Sequence, residues 1–438
     1  MKIAMVTPMV PESAIADVML QAAPHLAQRW DLHIWCPAEV AYRTSPVPVH
    51  PFEAPDADVL KELEQYDLVI YVLGDSPWHG PILSLAQRLP GLMVLHDASM
   101  TNLVRFTALE SGTMDAVAEH VATRYGSAAA TEFTAASKPA HAWLRFCAEV
   151  PLDELVVENA LGAVVHSRWH GQRIAGWTLG DVTVAPLPVP STRQIGDDPA
   201  NPAIASLLDA LTPDDVLVVT LGVVNANRRI DLLLEALAAD ESTRGRVHLW
   251  AVGPADGATA PELGGLARAL GVGDRFATPG RASDVQLQEV LARADVAVAL
   301  RDPVLEGQSA SVLTQLLSGT PVIVYDHAHY SELPDDAVVK VPSGAGAPEI
   351  AEALTRLIEH PAERRTMGER GRDHVLRTRS GHMYAEAIGA AVDRALAARP
   401  KTLLADDLAA ALRRRGVQDE DAVLDAVSDL AFDLFDLA

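Results

Sequence analysis

The chain is poor in cysteine, in basic residues and in long apolar runs. Cys36 and Cys147 are its only cysteines, which excludes a disulfide scaffold or a cysteine-based zinc site and suits a reducing, cytoplasmic compartment. Lys and Arg total 35 against 59 Asp and Glu, so the formal net charge is −24. We expect no nucleic-acid partner, because binding to a phosphate backbone requires a basic face. No apolar run approaches the roughly 18 residues of a membrane span.

Glycine is absent from residues 1–50, where the first strand–helix turn reads TPMVPESAIAD. A Rossmann dehydrogenase needs glycines in that turn so that the backbone can approach a pyrophosphate. We therefore expect no dinucleotide site at the N-terminus. The segment MKIAMVTPMVP has a short apolar stretch and no small-residue cleavage site, so we expect a first strand there rather than a signal peptide.

A length of 438 residues exceeds the usual size of a single core, and short apolar runs alternate with helical segments twice along the chain. The first series predicts buried parallel strands at 2–6, 31–35, 67–73, 92–95, 161–165 and 181–185, with a helical insertion at about 98–158 before the fifth. The second series predicts strands at 215–221, 246–253, 275–278, 295–300, 320–324 and 337–341. Its helices are expected near 229–240, 260–270, 284–293, 309–318 and 349–360.

Two such alternations predict an α/β protein with two doubly wound, Rossmann-like domains that face each other across a cleft. The domains are expected at 1–190 and 204–380, joined by the proline-rich segment 186–203. An amphipathic helix at 381–400 is expected to cross back, and residues 401–438 are predicted to form a separate tail of two short helices. The tail either docks on the chain's own surface, or mediates self-association or binding to a partner helix.

The most informative stretch is residues 304–321, VLEGQSASVLTQLLSGTP. Its apolar residues repeat at helical spacing, Ser309 and Ser311 are suited to cap the helix start, and Gly319 with Pro321 ends it. The free backbone N–H groups at a helix start favour a phosphate. Glu306 precedes them, where its carboxylate could accept hydrogen bonds from hydroxyls. The combination is typical of a sugar-nucleotide site, although an ordinary loop–helix–strand unit would have the same pattern.

A second candidate site follows the strand predicted at 215–221, in the sequence LGVVNANRRIDLLLEAL. Arg228 and Arg229 open the next helix, where cations are unfavourable unless an anion is bound. Arg228 is therefore a candidate clamp for a diphosphate. The alternative is a solvated pair of surface arginines.

The chain resembles the family 4 glycosyltransferases of the GT-B fold over nearly all of its first 400 residues. The family signature reads roughly E-G-F-G-x-x-x-x-E-A-M-A-x-G-x-P-V-V, and EGQSASVLTQLLSGTPVIV has Glu306, Gly307, Gly319, Pro321 and Val322 in register. Ser309, Ser311, Leu313 and Leu316 match the version found in a bacterial subgroup. Further segments that resemble this subgroup are ESAIAD (12–17), GDSPWH (74–79), VLHD (94–97) and YSELPDDAVVKV (330–341).

The resemblance implies roles for residues that match the family pattern. Glu306 would bind hydroxyls of the transferred sugar, and the backbone of 307–310 would bind the distal phosphate. Arg228 takes the place of a family lysine that neutralises the leaving diphosphate. His96 would lie near the reacting sugar, unless it is a core histidine, and Asp97 would orient His96 or the acceptor. We expect further donor contacts from Gly222, Asn225, Gly280, Arg281, Gly307, Gln308, Ser309, Ala310, Ser311 and Thr314, and acceptor contacts from Ser13, Ala14 and His79.

Three residues depart from the family pattern. Thr314 replaces a second signature glutamate that is usually assigned to the ribose, Val223 replaces an arginine, and Ala14 replaces a glycine. The bacterial subgroup often lacks the second glutamate, so these losses alone do not imply an inactive protein.

The resemblance implies hexosyl transfer from a nucleoside diphosphate sugar to a glycan, lipid-linked or small-molecule hydroxyl. Anomeric configuration would be retained. We expect no cofactor, and no metal either, because Arg228 and the helix at 309–318 would stabilise the diphosphate and no D-x-D motif stands at a strand end. One alternative is an inactive GT-B-like subunit that assists another transferase. A sugar-nucleotide epimerase is a third reading.

Overall fold

The computed structural model describes residues 1–416 except 11–12, 39–42, 136–138, 190–198, 240–244 and 256. Within these residues, the strands form two sheets in which all recorded strand pairs are parallel. Half of the predicted linker, residues 190–198, and the tail from 417 onwards lie outside the described residues. Two parallel-sheet domains were predicted from the sequence, and that prediction is confirmed.

The first sheet has the strand order β3-β2-β1-β4-β5-β6-β7. Its strands are β1 Lys2–Val6, β2 Asp31–Pro37, β3 Val49–Phe52, β4 Leu68–Leu73, β5 Leu92–Leu95, β6 Gly162–Val165 and β7 Val182–Val184. Residues of β1 alternate between two buried clusters, Ile3 and Met5 in one and Ala4 and Val6 in the other. The sheet is therefore covered by helices on both faces, as parallel sheets require.

Helices cover this sheet and form the predicted insertion. The covering helices are Ala14–Leu26, Ala57–Leu63, Gly80–Ala86 and Arg168–Ile174, and a 3₁₀ turn spans Pro77–His79. The insertion comprises Thr101–Ser111, Met114–Tyr125, Ser127–Thr134, Ala140–Glu149 and Glu154–Val157. Its helix Ala140–Glu149 reaches the second domain and contacts the turn Ala226–Arg228.

The second sheet has the strand order β10-β9-β8-β11-β12-β13. Its strands are β8 Val216–Leu221, β9 Val247–Val252, β10 Phe276–Gly280, β11 Val296–Ala299, β12 Val322–Asp326 and β13 Val338–Pro342. The helices of this domain are Pro202–Ala210, Ile230–Ala239, Thr259–Ala269, Asp284–Arg293, Ala310–Ser318, Ala347–Glu359 and Pro361–Thr378. The described residues of this domain also include the 3₁₀ turns Ala226–Arg228, Gly273–Arg275 and Ala328–Glu332.

The chain returns to the first domain through one long helix, Gly381–Arg414. This helix packs against Ala14–Leu26 and against β5, β6 and β7. An apolar cluster runs from the first sheet through Leu187 and Tyr384 into the second sheet, so the two domains share one buried core.

The boundary predicted at residue 401 is wrong, because the helix continues through Pro400 instead of ending there. Alanine and leucine on both sides of Pro400 are strong helix formers. They extend the helix despite the hydrogen bond that a proline removes.

Candidate active site

Strand order brings two distant loops of the second domain together. β8 and β11 are neighbours in the sheet although 74 residues separate their ends in sequence, from Leu221 to Val296. The chain continues from β8 into the turn at Arg228 and from β11 into the loop at Glu306. Asn227 joins the two loops, since its side-chain oxygen accepts from Arg301 at 3.2 Å and its carbonyl accepts from the Asp302 amide at 2.9 Å. This is the switch point of the sheet, where α/β domains bind ligands.

Glu306 is largely buried and held by three side chains. Tyr330 donates its hydroxyl hydrogen to Glu306 Oε1 at 2.8 Å, Arg301 Nε lies 3.4 Å from the same oxygen, and His329 Nε2 lies 3.9 Å from it. Burial alone would raise the pKa of Glu306, but the Arg301 cation, with His329 and Tyr330, outweighs burial and holds that pKa well below its ordinary value. Glu306 is therefore a fixed anion in the cleft.

Sequence reasoning missed the three side chains that hold Glu306. Arg301 immediately follows the apolar run DVAVAL, and a charged residue at the carboxyl end of a buried strand was a usable signal. His329 and Tyr330 belong to a 3₁₀ turn after β12 and are buried. Tyr330 begins the segment YSELPDDAVVKV, which resembles the bacterial subgroup, but nothing in its spacing indicates a contact with Glu306.

Arg228 is buried, with 4% of its surface exposed. Its Nε donates to the Val223 carbonyl at 2.5 Å. Its guanidinium lies over Gly222, so close that a side-chain carbon on that residue would be 2.1 Å from it. Burial, together with the nearby Arg301 cation, lowers the pKa of Arg228 to about 9 despite the opposing effect of Glu306. The alternative of a solvated surface pair is therefore wrong for Arg228.

The neighbouring Arg229 is the more exposed of the two arginines and forms ion pairs with Asp231 and Asp302 at 3.3 and 3.6 Å. Arg228 has no ion pair within the described residues. A buried cation in this state is stabilised by an incoming anion.

The loop after Glu306 is held by hydrogen bonds from several elements. Gln308 Oε1 accepts from the Leu187 amide at 3.2 Å and from Arg379 at 2.7 Å, which ties the loop to both segments that cross between the domains. Ser309 caps the helix Ala310–Ser318 through the Val312 amide. The Ser311 hydroxyl lies 3.1 Å from that of Ser309. The first backbone amides of this helix, at Ala310 and Ser311, lack partners within the helix and suit an anion.

Thr314 is turned into its own helix, where its hydroxyl donates to the Ala310 carbonyl at 2.9 Å. A threonine in this state offers only lone pairs to a ligand. It replaces the glutamate that the family resemblance assigns to the ribose, so a carboxylate is missing from that position.

The first domain meets this loop through its backbone. The Gly307 amide donates to the His96 carbonyl at 2.9 Å, and the Ala98 amide donates to the Leu305 carbonyl at 2.7 Å. Asp97 and Glu306 thereby form a short antiparallel bridge between the domains. The structure thus brings together four residues singled out from the sequence, Glu306, Gly307, His96 and Asp97. The Gly307 amide, expected to bind phosphate, is used by His96 in this structure.

His96 and Asp97 both have perturbed acid–base properties. Burial, with His166 and His79 nearby, holds the pKa of His96 well below its ordinary value. Burial raises the pKa of Asp97 to about 7, and the Asp75 and Glu306 carboxylates add to the rise. The Asp75 amide donates to Asp97 Oδ2 at 2.7 Å.

Of the residues expected on the acceptor side, His79 lies close to Gly74 at the carboxyl end of β4, where Ile15 and Asp97 also approach. Ser13 caps the helix that begins at Ala14, by accepting from the Ala16 amide. His79 is buried, and its Nδ1 donates to the Val72 carbonyl at 3.0 Å.

The remaining donor-side candidates lie after β8 and at the end of β10. Asn225 precedes the Arg228 turn, and its side-chain oxygen is buried without a hydrogen-bond partner among the described residues. Gly280 ends β10, and the carbonyl of Arg281 accepts from Asn201 at 2.9 Å.

Within the described residues, no cluster of three or more histidines, cysteines or acidic residues could hold a metal ion. None of the helices in the described part of the chain is sufficiently long and apolar to span a membrane.

Comparisons with known proteins agree with this architecture. Residues 209–374 match the family model described as "Glycosyl transferases group 1". A stretch of 130 residues, 29% of this chain, matches the MMP alpha-(1->4)-mannosyltransferase of Mycolicibacterium hassiacum at 29% sequence identity. The matched part spans about a third, 31%, of that relative's length.

Solved structures match nearly the whole chain. Sucrose-phosphate synthase from Thermosynechococcus elongatus has a TM-score of 0.61 at 18% identity, covering 91% of this chain and 99% of its own. HepE of Anabaena, in complex with UDP, has a TM-score of 0.61 at 15% identity, and the match covers 90% of this chain and 100% of HepE. WaaG, a glycosyltransferase involved in lipopolysaccharide biosynthesis, has a TM-score of 0.59 at 15% identity, and the match covers 90% of this chain and 99% of WaaG. The GT-B fold predicted from the sequence is confirmed, whereas membership of family 4 stays a prediction.

Proposed function

We propose that this GT-B chain is a glycosyltransferase that moves a hexosyl group from a nucleoside diphosphate sugar to an acceptor hydroxyl, with retention of anomeric configuration. The observation that carries the proposal is the charge arrangement at the switch point of the second sheet. Two guanidinium groups, Arg228 and Arg301, lie there with one fixed carboxylate, Glu306, between the domains. A diphosphate matches the surplus cation, and sugar hydroxyls match the carboxylate.

The surplus of positive charge at this place contrasts with the rest of the chain, which is strongly acidic, with a formal net charge of −24. Arg228 has a lowered pKa since it is buried near a second cation. A bound diphosphate would remove that cost and be held by the amides at the start of Ala310–Ser318. A charged group that is held in place before reaction stabilises the developing negative charge of a leaving diphosphate.

In the proposed reaction, the bond between the anomeric carbon and the diphosphate oxygen breaks and the acceptor oxygen bonds to that carbon. The acceptor proton passes to the departing phosphate, so no dedicated base is required. Glu306 would bind hydroxyls of the transferred sugar and favour positive charge on its ring. The bridge between His96 and Gly307 belongs to a closed state that would exclude water from the donor.

The similar proteins support the donor class. HepE was solved with UDP and with UDP-glucose, and the curated relative is named as a mannosyltransferase. For this chain we propose a nucleoside diphosphate sugar as donor, no bound cofactor or metal, and a cytoplasmic setting. The acceptor is proposed as a hydroxyl compound bound against the first domain near Asp97 and His79.

The proposal is tested by screening UDP-, GDP- and ADP-sugars for binding by thermal shift and for donor hydrolysis. A ligand at one hundred times its dissociation constant should stabilise the protein by about 2.7 kcal/mol. We expect the nucleoside diphosphate of one base to bind, and a sugar nucleotide with the same base to be hydrolysed slowly. Crosslinking should localise the nucleotide between residues 222–228 and 306–315. Localisation to the first domain alone would contradict the proposal.

The second candidate is a non-catalytic subunit that assists another glycosyltransferase. Two observations favour it: Thr314 replaces the second glutamate, and the Gly307 amide is bonded to His96 rather than free for a phosphate. If the wild-type protein neither binds nor hydrolyses any of the sugar nucleotides, and Glu306→Gln leaves assembly with the other glycosyltransferase intact, the result favours the assisting subunit over the enzyme.

A further inference from the structure

Two histidines of the first domain form a hydrogen-bonded chain that ends on a buried nitrogen. His166 Nδ1 lies 3.0 Å from the Ala185 carbonyl oxygen, and His166 Nε2 lies 3.2 Å from His96 Nδ1. The two ring centroids are 4.4 Å apart. His96 Nε2 is buried and has no hydrogen-bond partner among the described residues. Because the first group in this series of hydrogen bonds is the Ala185 carbonyl, the positions of the hydrogens on both histidine rings can be deduced from it.

The Ala185 carbonyl can only accept, so His166 Nδ1 must carry a hydrogen. Burial lowers the pKa of His166 to about 4 and that of His96 well below its ordinary value, so both rings are neutral near pH 7. A neutral imidazole carries one hydrogen, and His166 Nε2 is therefore a bare acceptor. It accepts from His96 Nδ1–H, which leaves His96 Nε2 bare as well.

We propose that His166 is a positioning residue that fixes the tautomer of His96, so that His96 Nε2 accepts a hydrogen bond from a hydroxyl of a sugar bound in the cleft. The ligand half of this inference rests on the proposed function. A bare nitrogen accepts O–H and N–H hydrogens but offers nothing to a phosphate or a carboxylate, which have only lone pairs to present. Its position supports a sugar, since the carbonyl of His96 is bonded to Gly307, next to Glu306.

His166 also has structural contacts, which a test must separate from its effect on His96. Its ring lies 5.7 Å from that of Tyr384, on the helix that returns from the second domain. His166→Leu keeps an apolar side chain against Tyr384 but removes both hydrogen bonds. His166→Gln preserves them in kind, since the amide N–H can donate to Ala185 and the amide oxygen can accept from His96 Nδ1–H.

The first measurement is nitrogen NMR of the full chain labelled with ¹⁵N in the histidine rings, with the His96 signals assigned by their loss in His96→Gln. We expect wild-type His96 to carry its hydrogen on Nδ1 and to have an unprotonated Nε2. His166→Gln should keep this state, and His166→Leu should produce a mixture of tautomers. A hydrogen on Nε2 in wild type, or an unchanged tautomer in His166→Leu, would overturn the proposal. No substrate is needed for this result.

The second measurement adds UDP, GDP, their sugar nucleotides and the free sugars to the labelled protein. A shift of the Nε2 signal with a sugar nucleotide but not with its diphosphate assigns the hydroxyl to the transferred sugar. A shift with free sugar alone assigns it to the acceptor. With the active donor, His166→Leu should lower kcat/KM by roughly tenfold, the effect of one lost hydrogen bond, and His166→Gln should restore most of it.

Equal losses of activity in the Leu and Gln variants would limit His166 to packing. A fixed tautomer in a protein that binds no sugar nucleotide or sugar would overturn the ligand half of the inference together with the proposed function. In that outcome the assignment of the tautomer to His166 stands.

Discussion

The backbone N–H of Gly307, in the second domain, donates to the carbonyl of His96, in the first, at 2.9 Å. A side-chain carbon on Gly307 would lie 3.0 Å from that carbonyl oxygen and 3.0 Å from His170 Nδ1. Both neighbours are buried, so neither can move without disturbing the packing around it. The absence of a side chain at Gly307 therefore permits the close contact between the domains.

Gly307→Ala should impair the closed state and turnover. The added methyl group must push the His96 backbone or His170 aside, and overpacking of this kind typically costs about 1–3 kcal/mol. We expect at least roughly tenfold lower donor hydrolysis with nearly unchanged affinity for the nucleoside diphosphate alone. Gly176→Ala is the matched control, because Gly176 is exposed and a side chain there meets nothing within 4 Å. Wild-type turnover in Gly307→Ala would mean that this contact is not part of the working enzyme.

The sequence predicted the sheets well because their central strands are continuous apolar runs between turn signals. It missed β3, Val49–Phe52, a four-residue edge strand that contains Pro51. An edge strand tolerates a proline that removes a ladder hydrogen bond, but the proline weakens the pattern. The helix Pro361–Thr378 was missed as well, because its sequence is rich in charges and lacks a clear apolar stripe.

The site was predicted in part, and the reason differs from residue to residue. Glu306 and Arg228 stand out locally, one in a loop before a capped helix and the other at a helix start. Arg301 precedes Glu306 in the same loop after β11, whereas His329 and Tyr330 follow the neighbouring strand β12, and the sheet order brings them to Glu306. The pair formed by His96 and His166 spans 70 residues of sequence, and no local periodicity indicates such a contact.

Glu306→Gln should lower turnover by at least about tenfold, some 1.4 kcal/mol, with a much weaker effect on binding of the nucleotide alone. The amide keeps one acceptor oxygen but loses the charge that strengthens hydrogen bonds to sugar hydroxyls. It also leaves Arg301 without its counter-ion, so we expect a loss of about 1–3 kcal/mol in the free energy of unfolding, discounted for the partial exposure of the pair. Donor hydrolysis and denaturant unfolding measure the two effects.

The two effects of Glu306→Gln are separated by adding Arg301→Met. The double variant removes both charges of the pair, so the free energy of unfolding should recover most of the loss. Turnover should stay at least tenfold below wild type, because the sugar-binding carboxylate is still missing. Recovery of turnover together with stability would reduce Glu306 to a structural partner of Arg301.

Arg228→Ala should remove a cation from the leaving diphosphate. The expected loss in kcat/KM is roughly 30- to 1000-fold, about 2–4 kcal/mol of barrier. Arg228→Lys should retain more activity, because a point charge still reaches phosphate. Arg229→Asn is the control, since it removes the adjacent charge and asparagine tolerates the left-handed backbone at that residue, φ 50°. Equal activity in Arg228→Ala and Arg229→Asn would exclude a role for Arg228 in catalysis.

His170 is a buried histidine whose ring nitrogens both lack hydrogen-bond partners among the described residues. Burial, with His166, Arg173 and His329 nearby, lowers the pKa of His170 to about 3. The unfolded chain binds a proton at this residue below its ordinary value of 6.5, whereas the folded chain does not. The free energy of unfolding therefore falls as pH decreases from about 6.5 towards 3, by up to about 1.4 kcal/mol per pH unit.

His170→Leu should remove this pH dependence without loss of a hydrogen bond. Relative to wild type, the free energy of unfolding of the variant should rise by at least about 1 kcal/mol between pH 7.5 and pH 5. The difference between the two proteins is the diagnostic quantity, because Asp97 and Asp153 have pKa values raised to about 7 and about 8 by burial and drive the profile in the opposite direction. Denaturant unfolding at both pH values measures it. A difference that does not change with pH would mean that His170 takes up its proton in the folded protein as readily as in the unfolded chain.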